Sequence, residues 1–179
     1  MHKGPWEVKN TQRVYKDQFI EVNVDDVEGP DDSEHTYSTV ELKPGVAILA
    51  FDQDENVYLT EQFRYALNKR SIELVCGGVE KGVEPLEAAQ KELREEVGLD
   101  ARRWEDLGVV DLDTSVVHCP VRLYVARELE KVPSDQEATE DIRWYTVPFA
   151  EAVRMVMEGE ITHAPSCLLI LKHAVGQAG

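Results

Sequence analysis

The stretch "EPLEAAQKELREEVGL", residues 84–99, governs the interpretation of the whole chain. Pro85 suits a first helical position, where its missing N–H costs nothing, and Gly98 suits the left-handed residue that ends a helix. Leu86, Ala89, Leu93 and Val97 fall on one apolar stripe at helical spacing. Glu92 and Glu96 are i,i+4 neighbours and Glu92 and Glu95 are i,i+3, so an adjacent face crowds three carboxylates. Like charges at that spacing repel by roughly 0.2–0.5 kcal/mol per pair, and a cation would turn the repulsion into a binding site. On most helices such acids are only a solvated face. The preceding stretch, "SIELVCGGVEKGVE", argues for more: it predicts a short strand and then a glycine-rich loop. Gly77 and Gly78 let backbone pass close to a ligand, and the Cys76 carbonyl can address the same ion as the carboxylates. Three carboxylates, a carbonyl and water form an all-oxygen donor set, suited to magnesium or manganese. Such ions bind best when a substrate adds phosphate oxygens, which points to phosphate or pyrophosphate chemistry.

Working outward, the chain has 179 residues and a formal charge of −16, from 35 acidic against 19 basic side chains. That length suits one globular core, and that charge makes nucleic acid a poor partner. Cys76, Cys119 and Cys167 are sparse, odd in number and without CxxC spacing, as in a reducing cytoplasm. No apolar run reaches transmembrane length and "MHKGPWEV" lacks a signal-peptide core, so the expected location is cytoplasmic, with no membrane partner. "RVYKDQFIEVNVDDV" and "TYSTVELK" alternate as strands about the turn "EGPDDSEH", forming an N-terminal antiparallel β extension over residues 1–42. "GVAILAFDQDENVYLTEQFR" is expected to be a hairpin about "DQDEN". Strands follow at "EDLGVVDL", "VRLYVARE" and "DIRWYTV", then helices from Pro148 to Glu158 and over about Pro165 to Ala174. The mixture is α+β.

The quoted helix and the glycines before it resemble the Nudix hydrolase signature, GX5EX7REUXEEXGU with U a bulky aliphatic residue. Gly77, Glu92, Leu93, Glu95, Glu96, Gly98 and Leu99 match seven of its nine defined positions; Val83 replaces the first glutamate and Lys91 the arginine. The resemblance implies a Nudix-like α/β/α sandwich with a mixed sheet over residues 43–179, and magnesium or manganese as cofactor. "EQFRY", "IEL", the N-terminal meander with Trp6 and "EDIRWYTVPFAEAVRMVMEGEI" are similar to the ADP-ribose and nucleotide-sugar pyrophosphatases. For that group the expected substrate is a small nucleotide, a nucleoside diphosphate linked to a sugar. Arg64 would contact its diphosphate, and Glu73 would assist Glu92, Glu95, Glu96 and the Cys76 carbonyl in holding metal. Glu140, or in second place Glu137, would position or deprotonate the attacking water. Ser115-Val116 stands where that group tends to carry a proline, which leaves the sugar and base open.

Trp6 is a candidate for stacking on a base, against the alternative of packing beside its sheet. A homodimer is expected, because the N-terminal meander needs a surface to cover and the resembling group often dimerises. Val83 and Lys91 keep alive a nucleotide-binding module with weak or no turnover, and the acidity keeps alive an interaction protein.

Overall fold

The computed structural model describes residues 1–133 and 141–177. Along the chain run β1 (His2–Lys3), β2 (Trp6–Lys16), β3 (Ile20–Glu28), β4 (Glu34–Leu42), β5 (Gly45–Ala50), β6 (Asn56–Arg64), β7 (Lys69–Glu73) and β8 (Val75–Gly78). They are followed by α1 (Pro85–Val97), β9 (Leu99–Asp111), β10 (Val117–His118), β11 (Pro120–Lys131), β12 (Arg143–Pro148), α2 (Phe149–Met157) and α3 (Ala164–Gln177). The class is α+β, as the mixture of signals implied.

Two compact units divide these elements. The first joins Met1–Lys43 to Asp111–Pro120. Its sheet runs β1-β2-β3-β4-β10, antiparallel through β4, with β10 added parallel to β4. Asp17 turns the chain between β2 and β3 by accepting the N–H groups of Phe19 and Ile20 at 2.7 and 2.8 Å. These bonds favour the carboxylate, so Asp17 titrates below the ordinary aspartate range.

The second unit, Pro44–Val110 with the chain from Val121 onward, contains a four-stranded sheet ordered β8-β5-β11-β9 and a three-stranded sheet ordered β12-β6-β7. β5 is the pivot. Five of its six residues are buried, and successive side chains point to opposite faces. Val46, Ile48 and Ala50 meet Ala88, Ala89, Leu93 and Val97 of α1 in one core. The other face is turned to α3, and Phe51 beyond the strand end lies 5.1 Å from the His173 ring of that helix. β5 runs parallel to β11 and antiparallel to β8. A strand apolar on both faces needs a central place between helices, and this is the layered arrangement implied by the Nudix resemblance.

The hairpin expected over residues 45–64 is not one. The "DQDEN" turn forms as its composition implies, with Asp52 accepting the N–H groups of Asp54 and Asn56, each at 2.8 Å. Beyond the single bridge Phe51↔Val57, however, β5 and β6 part into different sheets. β5 finds β8 and β11, and β6 finds β7 and β12. "SIELVCGG" likewise holds two strands, not one: the chain leaves the three-stranded sheet after Glu73 and enters the four-stranded sheet at Val75.

Candidate active site

α1 begins with Pro85 at its N-terminal end and stops at Gly98, whose φ of 66° is left-handed and whose N–H returns to the Arg94 carbonyl at 3.0 Å. Ala88, Ala89, Leu93 and Val97 are buried, and so is one of the acids: Glu96 is 4% exposed. The helix thus turns a carboxylate inward, beside its apolar stripe. Removing a carboxylate from water is costly unless positive charge answers it.

Glu92 is seated on the backbone of β8. A methyl group built at Gly77 would fall 1.9 Å from the Glu92 Cδ and 2.0 Å from its Oε1. Glycine is required there for close approach, and the approach sets one helix carboxylate beside the strand that carries Cys76. β8 is the edge of its sheet, so alternate peptide groups along it lie outside the ladder to β5. The Cys76 thiol contributes no charge: burial, with Glu96 and Glu73 adding to it, holds it protonated well above the ordinary thiol value. What Cys76 can offer an ion is its carbonyl oxygen.

On the adjoining sheet Arg64 and Glu73 face each other across β6 and β7. Arg64 donates from Nε to Oε1 at 2.9 Å and from Nη2 to Oε2 at 2.5 Å, and Glu73 is 2% exposed. Burial alone would raise the Glu73 carboxyl, but the Arg64 hydrogen bonds and the nearby His163 outweigh it and hold the group below the usual range. Arg64 is raised in turn, chiefly by those bonds and further by the Glu96 charge. A guanidinium has about five N–H donors, so this fork leaves others for an anion.

The structure therefore gathers Arg64, Glu73, Cys76 and Glu96 into one electrostatic neighbourhood, with Glu92 against Gly77. Glu95 turns to Lys91, Oε2 to Nζ at 3.1 Å. Lys91 is the residue that stands in place of the signature arginine, and here its partner is the acid one turn along. Glu137 and Glu140 lie outside the described residues. Trp6 belongs to the first unit, where its ring packs edge-on against His35 and Tyr37 at 5.3 and 5.1 Å.

Among the described residues no three His, Cys, Asp or Glu side chains form a ready-made ion cage. Glu73 is committed to Arg64 and Glu95 to Lys91. The chemistry of the donors nevertheless fits a hard divalent cation: carboxylate oxygens, one of them buried, beside an edge-strand carbonyl and a protonated thiol.

Two further polar residues join the site without any local signal in the chain. Ser166, fully buried at the start of α3, accepts the Leu74 N–H at 2.9 Å. Its oxygen lies 2.8 Å from the His163 Nδ1, which in turn is 3.5 Å from the Glu73 Oε2. Beyond their contact with each other, both reach partners remote in sequence, Ser166 to Leu74 and His163 to Glu73, and no local spacing marks those contacts.

Comparison with known proteins places the chain in a family. The NUDIX domain model matches residues 41–164. The ADP-ribose pyrophosphatase of Mycobacterium tuberculosis (strain ATCC 25618 / H37Rv) is 34% identical over 98% of this chain and 86% of its own length. A methanol dehydrogenase activator of Bacillus methanolicus is 26% identical over 89% of this chain and 88% of its own. In fold, the chain matches a crystal structure of an ADP compounds hydrolase with a TM-score of 0.82 at 18% identity, over 97% of this chain and 96% of that one. With its glutamate-bearing helix closed by Gly98 and seated on Gly77, this chain belongs to the NUDIX family and is a Nudix pyrophosphohydrolase.

Proposed function

We propose that the protein hydrolyses the pyrophosphate bond of a nucleoside diphosphate-sugar such as ADP-ribose, releasing a nucleoside monophosphate and a sugar phosphate, with magnesium or manganese as cofactor. Support comes from the full-length relative that is an ADP-ribose pyrophosphatase and from one observation above others, the seating of Glu92 on Gly77 beside the buried Glu96. Nudix hydrolases generally use divalent metal ions. Glu92 and Glu96, with the Cys76 carbonyl and with Glu95 once it leaves Lys91, are the residues that would hold them. When bound, such an ion would offset the diphosphate charge and acidify the attacking water.

The remaining work falls to the chain's own groups. Arg64, held in place by Glu73, directs its unused N–H donors at a non-bridging phosphate oxygen. For Glu73 to ligate an ion directly it would have to release Arg64, so its first role is to orient that guanidinium. Glu140, or in its place Glu137, takes the proton from water. The assay is release of nucleoside monophosphate across ADP-ribose, GDP-mannose, other nucleotide sugars, dinucleoside polyphosphates and coenzyme A, with magnesium and with EDTA. The expected result is magnesium-dependent product from a nucleotide sugar and none with EDTA. Product from no nucleotide sugar, or equal rates with EDTA, would refute the proposal.

The protein works as a homodimer. The N-terminal unit leaves the Val14, Tyr15, Phe19 and Tyr37 side chains exposed, apolar groups that a second copy would cover. Sedimentation at micromolar concentration should give twice the 20.3 kDa chain mass; a monomer would contradict this.

A further inference from the structure

Between β7 and β8 the chain changes sheets, and the Leu74 peptide sits at the change. Leu74 is fully buried, so an unanswered N–H there would cost about 1–3 kcal/mol. The answer comes from 92 residues away, the Ser166 hydroxyl at 2.9 Å. On the same stretch the Thr60 hydroxyl lies 3.4 Å from both the Glu73 and the Leu74 carbonyls. Having accepted the Leu74 N–H, the Ser166 hydroxyl can give its own proton to the His163 Nδ1 at 2.8 Å. Glu73 precedes the clamped peptide by one residue, and Cys76 and Gly77 follow it by two and three. A rotation at Leu74 would therefore move the partner of Arg64 in one direction and the seat of Glu92 in the other.

We propose that Ser166 is a positioning residue of the active site: its hydroxyl, aimed by His163, fixes the Leu74 peptide where the chain changes sheets, and so sets Glu73 on one side and the Cys76–Gly77 backbone on the other. This rests on the assignment of Glu92, Glu96 and the Cys76 carbonyl to a divalent cation. Residues that orient metal ligands without touching the ion typically alter affinity or activity about 10- to 100-fold when removed.

The test is titration of Mn2+ into the substrate-free protein, followed by electron paramagnetic resonance, together with kcat and KM for ADP-ribose. Glu96→Gln is the control for the site itself. Ser166→Ala is expected to weaken Mn2+ binding about 10-fold and to lower kcat at saturating magnesium, with KM changed less than about threefold. His163→Ala should weaken binding by a smaller factor. His163→Asn, whose side-chain oxygen falls near the place of Nδ1, should restore it. A purely structural serine would lower the melting temperature and leave Mn2+ affinity and kcat within twofold of the parent, and that result overturns the proposal. Should Ser166→Ala not fold, the His163 pair decides: His163 keeps part of its ring in solvent, so Ala and Asn variants with equal Mn2+ affinity overturn it too. A parent protein with no Glu96-dependent Mn2+ site would refute the cation assignment and the proposal together. A Glu96-dependent site indifferent to Ser166 and His163 refutes the proposal alone.

Discussion

Glu96→Gln should lower ADP-ribose turnover by roughly 100-fold at saturating magnesium, a loss of about 2.7 kcal/mol of transition-state stabilisation. The substitution keeps the shape of the side chain and removes its charge. Glu96 is 4% exposed, the most deeply buried of the three helix acids, so no water can take over its work. Stability should not fall in parallel. The neutral amide relieves a desolvation cost but gives up the attraction to Arg64, so the variant should melt within a few degrees of the parent in EDTA. Loss of rate with retained stability is the mark of a group kept for chemistry. Near-normal turnover would contradict the role given to Glu96.

Gly77→Ala should be as damaging to activity, for a different reason. The added methyl group meets the Glu92 Cδ at 1.9 Å, its Oε1 at 2.0 Å and its Cγ at 2.5 Å. These atoms are the mobile end of a long side chain, so the strand and the helix need not move apart. The carboxylate is expelled instead. The expected outcome is a folded protein, melting within a few degrees of the parent, with kcat reduced on the order of 100-fold. The double variant Gly77→Ala/Glu92→Gln should be little worse than either single one, because both remove the same carboxylate from the same place. Full activity in Gly77→Ala would show that the seat of Glu92 is irrelevant to catalysis.

What could be read from the sequence was what is encoded locally. The limits of α1 follow from Pro85 and Gly98, its inward face from the spacing of Ala89, Leu93 and Val97, and its clustered acids from i,i+3 and i,i+4 neighbours. The turn at "DQDEN" was legible because Asp52 makes its own local hydrogen bonds. The choice of partner strand was not. β5 and β6 each pair with strands remote in sequence, and an apolar run gives no hint of which neighbour it will take. The break at Leu74 was invisible because its hydrogen-bond partner lies on α3. Arg64 and Glu73 were both marked as site residues through resemblance, yet as separate contacts; their pairing depends on the β6–β7 register, which sets Thr60 opposite Glu73 and Arg64 opposite Lys69.

The proposed seating of a divalent cation by the acids of α1, where it would meet a diphosphate, can be seen in a crystal of the protein soaked in manganese with a non-cleavable ADP-ribose analogue, read by anomalous scattering. Ion density within coordination distance of Glu92, Glu96 and the Cys76 carbonyl, in contact with the analogue's phosphates, is the predicted result. An analogue bound with no anomalous peak beside those groups would contradict the claim.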